Sequence, residues 1–377
     1  MGMIDFQYIG DTAALKEMLA HLSGSRRISV DLESDSYHHY AEKIALLQIG
    51  DGESIYIVDP FSVELARMAP LLEDKRVEKV FHDVDYDGRM LLTFLGVKPA
   101  PIFDTMIAAR LLGKEKVGLA DLLGEYFGLS IDKGLQKADW SRRPLARDML
   151  EYAALDVAYL IPLREHLASE IEKMGRADWS REEFERLLEN LEQMPVKGAT
   201  FTRVKGAREL SPRQLSVLQA LLDWREAKAK GLDIPTFKVI GTERLLKIAE
   251  KHPRNRRELD GLKALSDRQT ARFGNDILRA VEKGMGVAEE KLPRFQATVH
   301  QKRDFQAEKI LKHFKVARDR KAEELGLDPG FLLPNAALKA IARQKPADLR
   351  ELEESRLLKG WQMQVMGETL TACLQQS

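Results

Sequence analysis

The chain of 377 residues balances 59 Lys+Arg against 59 Asp+Glu, with one cysteine and 44% apolar residues. That length exceeds one ordinary core and predicts two or three domains, while a lone Cys373 excludes both a disulfide framework and a thiolate zinc site. The N-terminus shows no charged stretch followed by an apolar one, and no run of about 18 apolar residues occurs, so a soluble cytoplasmic protein with no membrane partner is expected.

The zero net charge conceals an asymmetry: residues 1–200 hold 35 acidic and 24 basic side chains, and residues 201–377 hold 24 and 35. An acidic half able to hold cations, joined to a basic half, suits a polyanionic substrate, although two solvated domains of unlike charge would look the same. In chain order, FQYIG reads as a short strand, and Asp11 offers an N-cap to the helix TAALKEMLAHL. RRISVDLE, KIALLQIGD and SIYIVDP read as an antiparallel meander, followed by the helix VELARMAPLLED, the strand VEKVFHD and a helix stopped by Gly96. PIFDTMIAARLLG, GLADLLGEYFG and LARDMLEYAALDVAYLIPL all read as helical, giving a mixed sheet flanked by helices over residues 1–170.

Beyond it the pattern is all helical, with a connecting helix and linker at 171–206. Residues 209–286 and 297–375 then repeat one order: a long basic helix, a Gly, an aliphatic-Pro segment and a helix ending before Pro. This predicts a weakly duplicated helical domain, divided at 207–288 and 289–377.

Chemistry concentrates in the first half. Asp31 and Glu33 are two apart on a strand and project together, and Tyr152 and Asp156 are four apart on a helix and share a face. Taken singly, an Asp-x-Glu is usually a solvated strand end, and Tyr-x-x-x-Asp a packed tyrosine with a surface acid. Together with Asp87 they form a set of carboxylates that repel one another unless a cation joins them. Oxygen-only ligation suits Mg²⁺ or Mn²⁺, and two such ions roughly 3.5–4 Å apart promote in-line attack on a phosphodiester. The helix carrying Asp156 is otherwise nearly apolar from Met149 to Leu163, so an acid there is costly without a cation.

These three motifs, VDLES, FHDVDYD and YAALD, resemble the DEDD superfamily of 3′→5′ exonucleases, in the branch with tyrosine in its third motif. LDWREAKA and RFGNDIL resemble the helicase-and-RNase-D C-terminal (HRDC) domain, and a more divergent copy follows. One nuclease domain and two HRDC domains at this length resemble the ribonuclease D family. The resemblance implies a ribonuclease H-like fold with Asp31, Glu33, Asp87 and Asp156 holding two divalent ions, and Tyr152 positioning the attacking water. It also implies RNA as partner, tRNA precursors with 3′ extensions above all, and no obligate protein partner. The family spacing from His82 selects Asp87, with Asp85 as the rival, and Gly88 stands where the family usually has an apolar residue.

His82, Gln136 and Arg143 are candidate substrate contacts, with Lys133 and Arg142 nearby; the plainer reading makes His82 a hydrogen-bonded bystander and Trp140 a core residue in a connecting loop. His38 and His39 fit a solvated loop better than an RNA contact, and Trp224 and Arg225 fit core and helix surface respectively. Lys251, Arg254, Arg256 and Arg257 form a basic cluster suited to nucleic acid. The same catalytic site would also serve a DNA 3′→5′ exonuclease, and a catalytically silent nucleic-acid-binding protein is the alternative of a different class.

Overall fold

The computed structural model describes residues 4–132, 134–194, 198–295 and 304–375. These divide into two compact units: Met1–Glu33, Ile44–Met194 and Gln301–Ser377 form the first, Ser34–Lys43 and Pro195–His300 the second. The first unit is built on six strands, β1 (Gln7–Ile9), β2 (Arg27–Ser34), β3 (Ile44–Gly50), β4 (Ile55–Val58), β5 (Glu78–Phe81) and β6 (Ile102–Asp104), in the order β1-β4-β3-β2-β5-β6. Consecutive β2, β3 and β4 are neighbours, with β3 and β4 antiparallel as a meander requires; β1 joins β4, and β5 joins β2 and β6, in parallel. β6 corrects the helical reading of PIFDT, because Ile102 and Phe103 are buried and pair with Lys79 and Val80 of β5. Three residues are too few to display a period, and the ladder overrides the local pattern.

Helices α1 (Thr12–Leu22), α2 (Ala69–Leu72), α3 (Val84–Leu95), α4 (Thr105–Leu111), α5 (Leu119–Phe127), α6 (Arg147–Ala158), α7 (Leu160–Lys173) and α8 (Ala177–Glu189) accompany the sheet. Asp11 caps α1, accepting from the Ala13 and Ala14 N–H groups at 2.9 Å, and Gly96 ends α3 at φ +71°. The predicted long Tyr152 helix is broken at Tyr159 into α6 and α7. Trp140, Ala153 and Ala154 bury with Ala45, Leu46 and Ile57, so α6 is seated on β3 and β4.

The second unit holds α9 (Pro212–Leu232), α10 (Thr236–Val239), α11 (Thr242–Lys251), α12 (Arg256–Gly261) and α13 (Asp267–Met285). The first unit holds their counterparts, α14 (Phe305–Leu325), α15 (Pro329–Leu332), α16 (Asn335–Gln344), α17 (Leu349–Glu354) and α18 (Gly360–Gln375). Each begins 93 residues after its partner, as Pro212 and Phe305 or Asp267 and Gly360 show. Arg225, expected on the helix surface, is 7% exposed and donates to the Ile240 carbonyl and Thr242 Oγ1; 93 residues on, Arg318 does the same to the Leu333 carbonyl and Asn335 Oδ1. A buried guanidinium thus ties together three helices of each copy, which periodicity alone does not reveal. No helix among the described residues is long and apolar enough to cross a membrane.

Candidate active site

β2 and α6 deliver the expected convergence: carboxylate oxygens of Asp31, Glu33 and Asp156 all lie within 4.8 Å of one another. Asp87, in the first turn of α3, is 6% exposed; its charge acts on Glu33, and Asp31 and Asp156 act on it. The rival Asp85 faces solvent, held by Arg89 one turn on at 3.0 Å, so its geometry favours Asp87 for the inner position. Helix α3 runs unbroken through Gly88, where a Cβ would sit 3.1 Å from the Leu191 methyls. Leu191 fills the space that an apolar side chain would otherwise take.

Burial pushes Asp31 up to about 7. Glu33 rises well above the ordinary carboxylate range through burial and then through Asp31, Asp156 and Asp87. Burial likewise raises Asp156, with Asp31 adding to it, and raises Asp87, with Asp31 the next contributor. No lysine or arginine among the described residues acts on Asp31, Glu33 or Asp156 to offset this. Such a set of hard oxygen donors without a counter-charge fits a divalent cation of the Mg²⁺ or Mn²⁺ type. Tyr152, half-buried beside Trp140 with ring centroids 6.1 Å apart, keeps its proton more firmly than a free phenol because of burial and then Asp156, Glu33 and Asp31; the Gln136 side chain opposes this through a hydrogen bond.

The remaining expected contacts fare unequally. Gln136 approaches Tyr152 and is exposed, and Lys133 lies outside the described residues. Arg143 is turned into the fold instead of toward a phosphate: Nε and Nη2 donate to Asp59 at 2.8 and 2.7 Å, and Nη1 and Nη2 also donate to the carbonyls of Trp140, Arg142 and Ala45. Asp59, a partner that sequence reading missed, falls to about 2 despite its burial, because Arg143 and Tyr8 donate to it. Trp140 is buried, as the plainer reading had it, and Arg142 pairs with Asp139 at 3.4 Å. His39 Nδ1 meets Asp233 at 2.7 Å. His82 falls to about 4 through burial and is neutral. Thr105 Oγ1 donates to the Phe81 carbonyl at 3.0 Å, so at its 2.8 Å contact with His82 it must accept from Nδ1–H, leaving Nε2 as an acceptor. Asp104 and Thr105 were not singled out in the sequence; the helix-starting Asp-Thr after an apolar pair was their signal.

A family model for a 3′-5′ exonuclease matches residues 6–172, and the HRDC domain model matches residues 214–281 and 307–374. A ribonuclease D of Shewanella sp. (strain ANA-3) is 34% identical over 279 residues, spanning 74% of this chain and 72% of its own. The crystal structure of Escherichia coli RNase D, described as an exoribonuclease involved in structured RNA processing, superposes with a TM-score of 0.75 at 27% identity over 99% of both chains. A Bifidobacterium adolescentis protein shares the fold, with a TM-score of 0.83 at 23% identity over 99% of this chain and 97% of its own. With three motif carboxylates drawn together at the end of an exonuclease sheet and a duplicated HRDC block behind them, the chain is a 3′→5′ exoribonuclease and belongs to the ribonuclease D family.

Proposed function

We propose that Asp31, Glu33, Asp87 and Asp156 hold two divalent ions, Mg²⁺ or Mn²⁺, and that the site releases 5′-mononucleotides from the 3′ ends of structured RNA, tRNA precursors with 3′ extensions above all. The observation that carries this reading is the meeting of Asp31, Glu33 and Asp156 oxygens within 4.8 Å, with no cationic side chain among the described residues acting on them. Ions bound there supply a lowered pKa for the attacking water and stabilise charge on the leaving 3′-oxygen. Asp31, Glu33 and Asp156 would hold one ion, and Asp87, on which the charge of Asp31 acts, would help hold the second. Tyr152 stays protonated near neutral pH, so it orients the water by hydrogen bonding and does not serve as the base. Gln136 steadies the phenol, and Nε2 of His82, left as an acceptor, is assigned to a ribose hydroxyl. Structured RNA as substrate is supported by the E. coli likeness and by the basic charge of residues 201–377. The division at 1–170, 171–206, 207–288 and 289–377, and action in the cytoplasm, belong to the same proposal.

The test is digestion of a 3′-labelled, 3′-extended tRNA with Mg²⁺ or Mn²⁺, beside a 3′-phosphate-blocked control. Asp31→Asn is expected to cost about 10³-fold in rate, since metal-ion stabilisation is worth several kcal/mol. Tyr152→Phe is expected to cost about 10²-fold. Full activity in Asp31→Asn would overturn the site. Faster digestion of a matched DNA oligomer would move the substrate to DNA.

A further inference from the structure

Helix α3, which carries Asp87, has no cap of its own. Asp83 stands at the cap position with φ +62°, and its side chain accepts nothing from the first turn. A non-glycine residue in the left-handed region persists only where its surroundings hold it. Here the hold comes from two residues at the end of β6. Asp104 is fully buried; Oδ1 accepts from the Met106 and Ile107 N–H groups at 2.9 Å, capping α4, and Oδ2 accepts from the Val84 N–H at 2.8 Å, capping α3. One carboxylate therefore starts two helices. Thr105, also fully buried, donates to the Phe81 carbonyl and accepts from His82 Nδ1. In the β5–β6 ladder Phe81 pairs with Asp104, so His82 and Thr105 come side by side just beyond the strand ends. Residues 81, 82 and 84 are thus each fastened to Asp104 or Thr105, with strained Asp83 between them.

We propose that Asp104 and Thr105 are positioning residues for Asp87, fixing where its carboxylate stands against Asp31 and Asp156 and hence how tightly the second divalent ion is held. This rests on the metal-ion reading above. Neither residue contacts substrate or an ion; both act through the first turn of α3. The plainer account makes them two satisfied caps that serve stability alone, and the substitutions can separate the two. Asp104→Asn keeps a carbonyl oxygen for Met106 and Ile107 while turning an amide N–H₂ toward the Val84 N–H, so it loosens α3 selectively. Thr105→Val removes both hydroxyl bonds at nearly constant shape, and Thr105→Ser restores them.

The experiment titrates Mn²⁺ into the full-length variants by calorimetry and counts bound ions by electron paramagnetic resonance. Melting curves and the Mn²⁺ needed for half-maximal hydrolysis are followed in parallel. Asp104→Asn and Thr105→Val are expected to weaken the second ion about 10-fold or more, the scale of lost outer-shell support, and to leave the first ion unchanged. Half-maximal Mn²⁺ should rise by a similar factor, while kcat at saturating Mn²⁺ returns toward the parent value. Thr105→Ser should match the parent. Asp87→Asn is the reference. If it binds both ions like the parent, the metal-ion reading fails. If it loses one ion while Asp104→Asn and Thr105→Val keep both at parental affinity, the positioning inference alone fails. Equal weakening of both ions with a lowered melting temperature also overturns it, in favour of a stability role. Should Asp104→Asn not fold, Thr105→Val against Thr105→Ser carries the same decision.

Discussion

The two five-helix copies share a skeleton and put the same corner to different use. Asp233 and Gly326 occupy equivalent left-handed positions after the long first helix of each copy. In the first copy that corner receives residues 34–43: Asp233 accepts from His39 Nδ1 and the Tyr40 N–H, Tyr40 donates to Glu226 at 2.7 Å, and Tyr37 meets Phe237 with centroids 5.4 Å apart. In the second copy it receives the nuclease fold. Arg176 links the Leu111 and Leu325 carbonyls, and Gly113, at φ +75°, passes so near Gly326 that a Cβ would fall 1.8 Å from its carbonyl oxygen. The final helices diverge as well. α13 begins with its own capping box, Ser266 and Gln269, and exposes Arg268, Arg272 and Arg279, where α18 carries Trp361, Val365 and Ala372. α18 instead begins on α8: Glu182 accepts from the Gly360 and Trp361 N–H groups, and Trp361 stacks on Trp179 at 4.8 Å. The duplication kept its core and divided its surfaces, one copy becoming part of the nuclease unit and the other retaining exposed cations.

The sharpest way to break that division uses pH and metal. The folded-state pKa of Asp31 lies near 7 and those of Glu33, Asp87 and Asp156 well above the ordinary carboxylate range, chiefly through burial. In the native chain these four carboxylates therefore bind more protons than in the unfolded one between about pH 4 and 7, outweighing His82, which burial keeps neutral and which acts the other way, and metal-free stability falls as pH rises through that window. The loss amounts to several kcal/mol, because each tenfold change in how tightly a carboxylate holds its proton is worth about 1.4 kcal/mol. Mg²⁺ should restore it. Because the second copy belongs to the carboxylate-bearing unit, fluorescence of Trp179 and Trp361 should report this transition, while Trp224 in the other unit should not. A pH-insensitive Trp361 would show that the second copy unfolds on its own.

Next in size is Glu183→Ala. Glu183 is 5% exposed and accepts from Lys359 Nζ at 2.6 Å and from Trp361 Nε1 at 2.7 Å. Removing one partner of a pair this buried costs about 3 kcal/mol, read as a lower urea midpoint for the first unit alone. An unchanged midpoint would mean that α18 is held by packing and the Glu182 cap. Smaller again, Arg225→Ala and Arg318→Ala should each cost about 2 kcal/mol by orphaning buried acceptors, one in each unit. Markedly unequal losses would show that the shared skeleton is not equally stressed.

What the sequence made legible followed from period and order. Asp31 with Glu33, and Tyr152 with Asp156, lie on a strand and a helix whose periods put them on common faces, and the repeat is visible because no insertion disturbs its spacing. What stayed hidden depends on partners far along the chain. Arg143 has the look of a phosphate ligand until Asp59, 84 residues away, claims it. Arg225 has the look of a surface residue because its acceptors lie across two turns and a short helix. Asp104 caps a helix that begins 20 residues before it. The Asp85–Arg89 spacing of four is a local clue against Asp85, since it lets the two pair on one exposed face of α3.

The smallest expected effect probes the first copy's cations directly. Arg254 and Arg257 are exposed, and in the second copy Ala347 replaces the first, while Arg350, equivalent to Arg257, is tied to Glu354 at 2.9 Å. A cation that meets an RNA phosphate releases a counterion, so each such contact adds about 0.7–0.9 to the slope of log affinity against log salt concentration. Arg257→Ala should lower that slope by about this amount and weaken binding alike for all sequences, as measured by filter binding of a 3′-extended tRNA over a salt series. Arg350→Ala should leave it unchanged, since its guanidinium already has a carboxylate one turn away. The discriminating quantity is the slope and not the affinity: a substitution that merely loosens either copy lowers affinity at every salt concentration and keeps the lines parallel. Equal slope losses for Arg257→Ala and Arg350→Ala would give both copies a grip on RNA, and the division of labour between them would collapse.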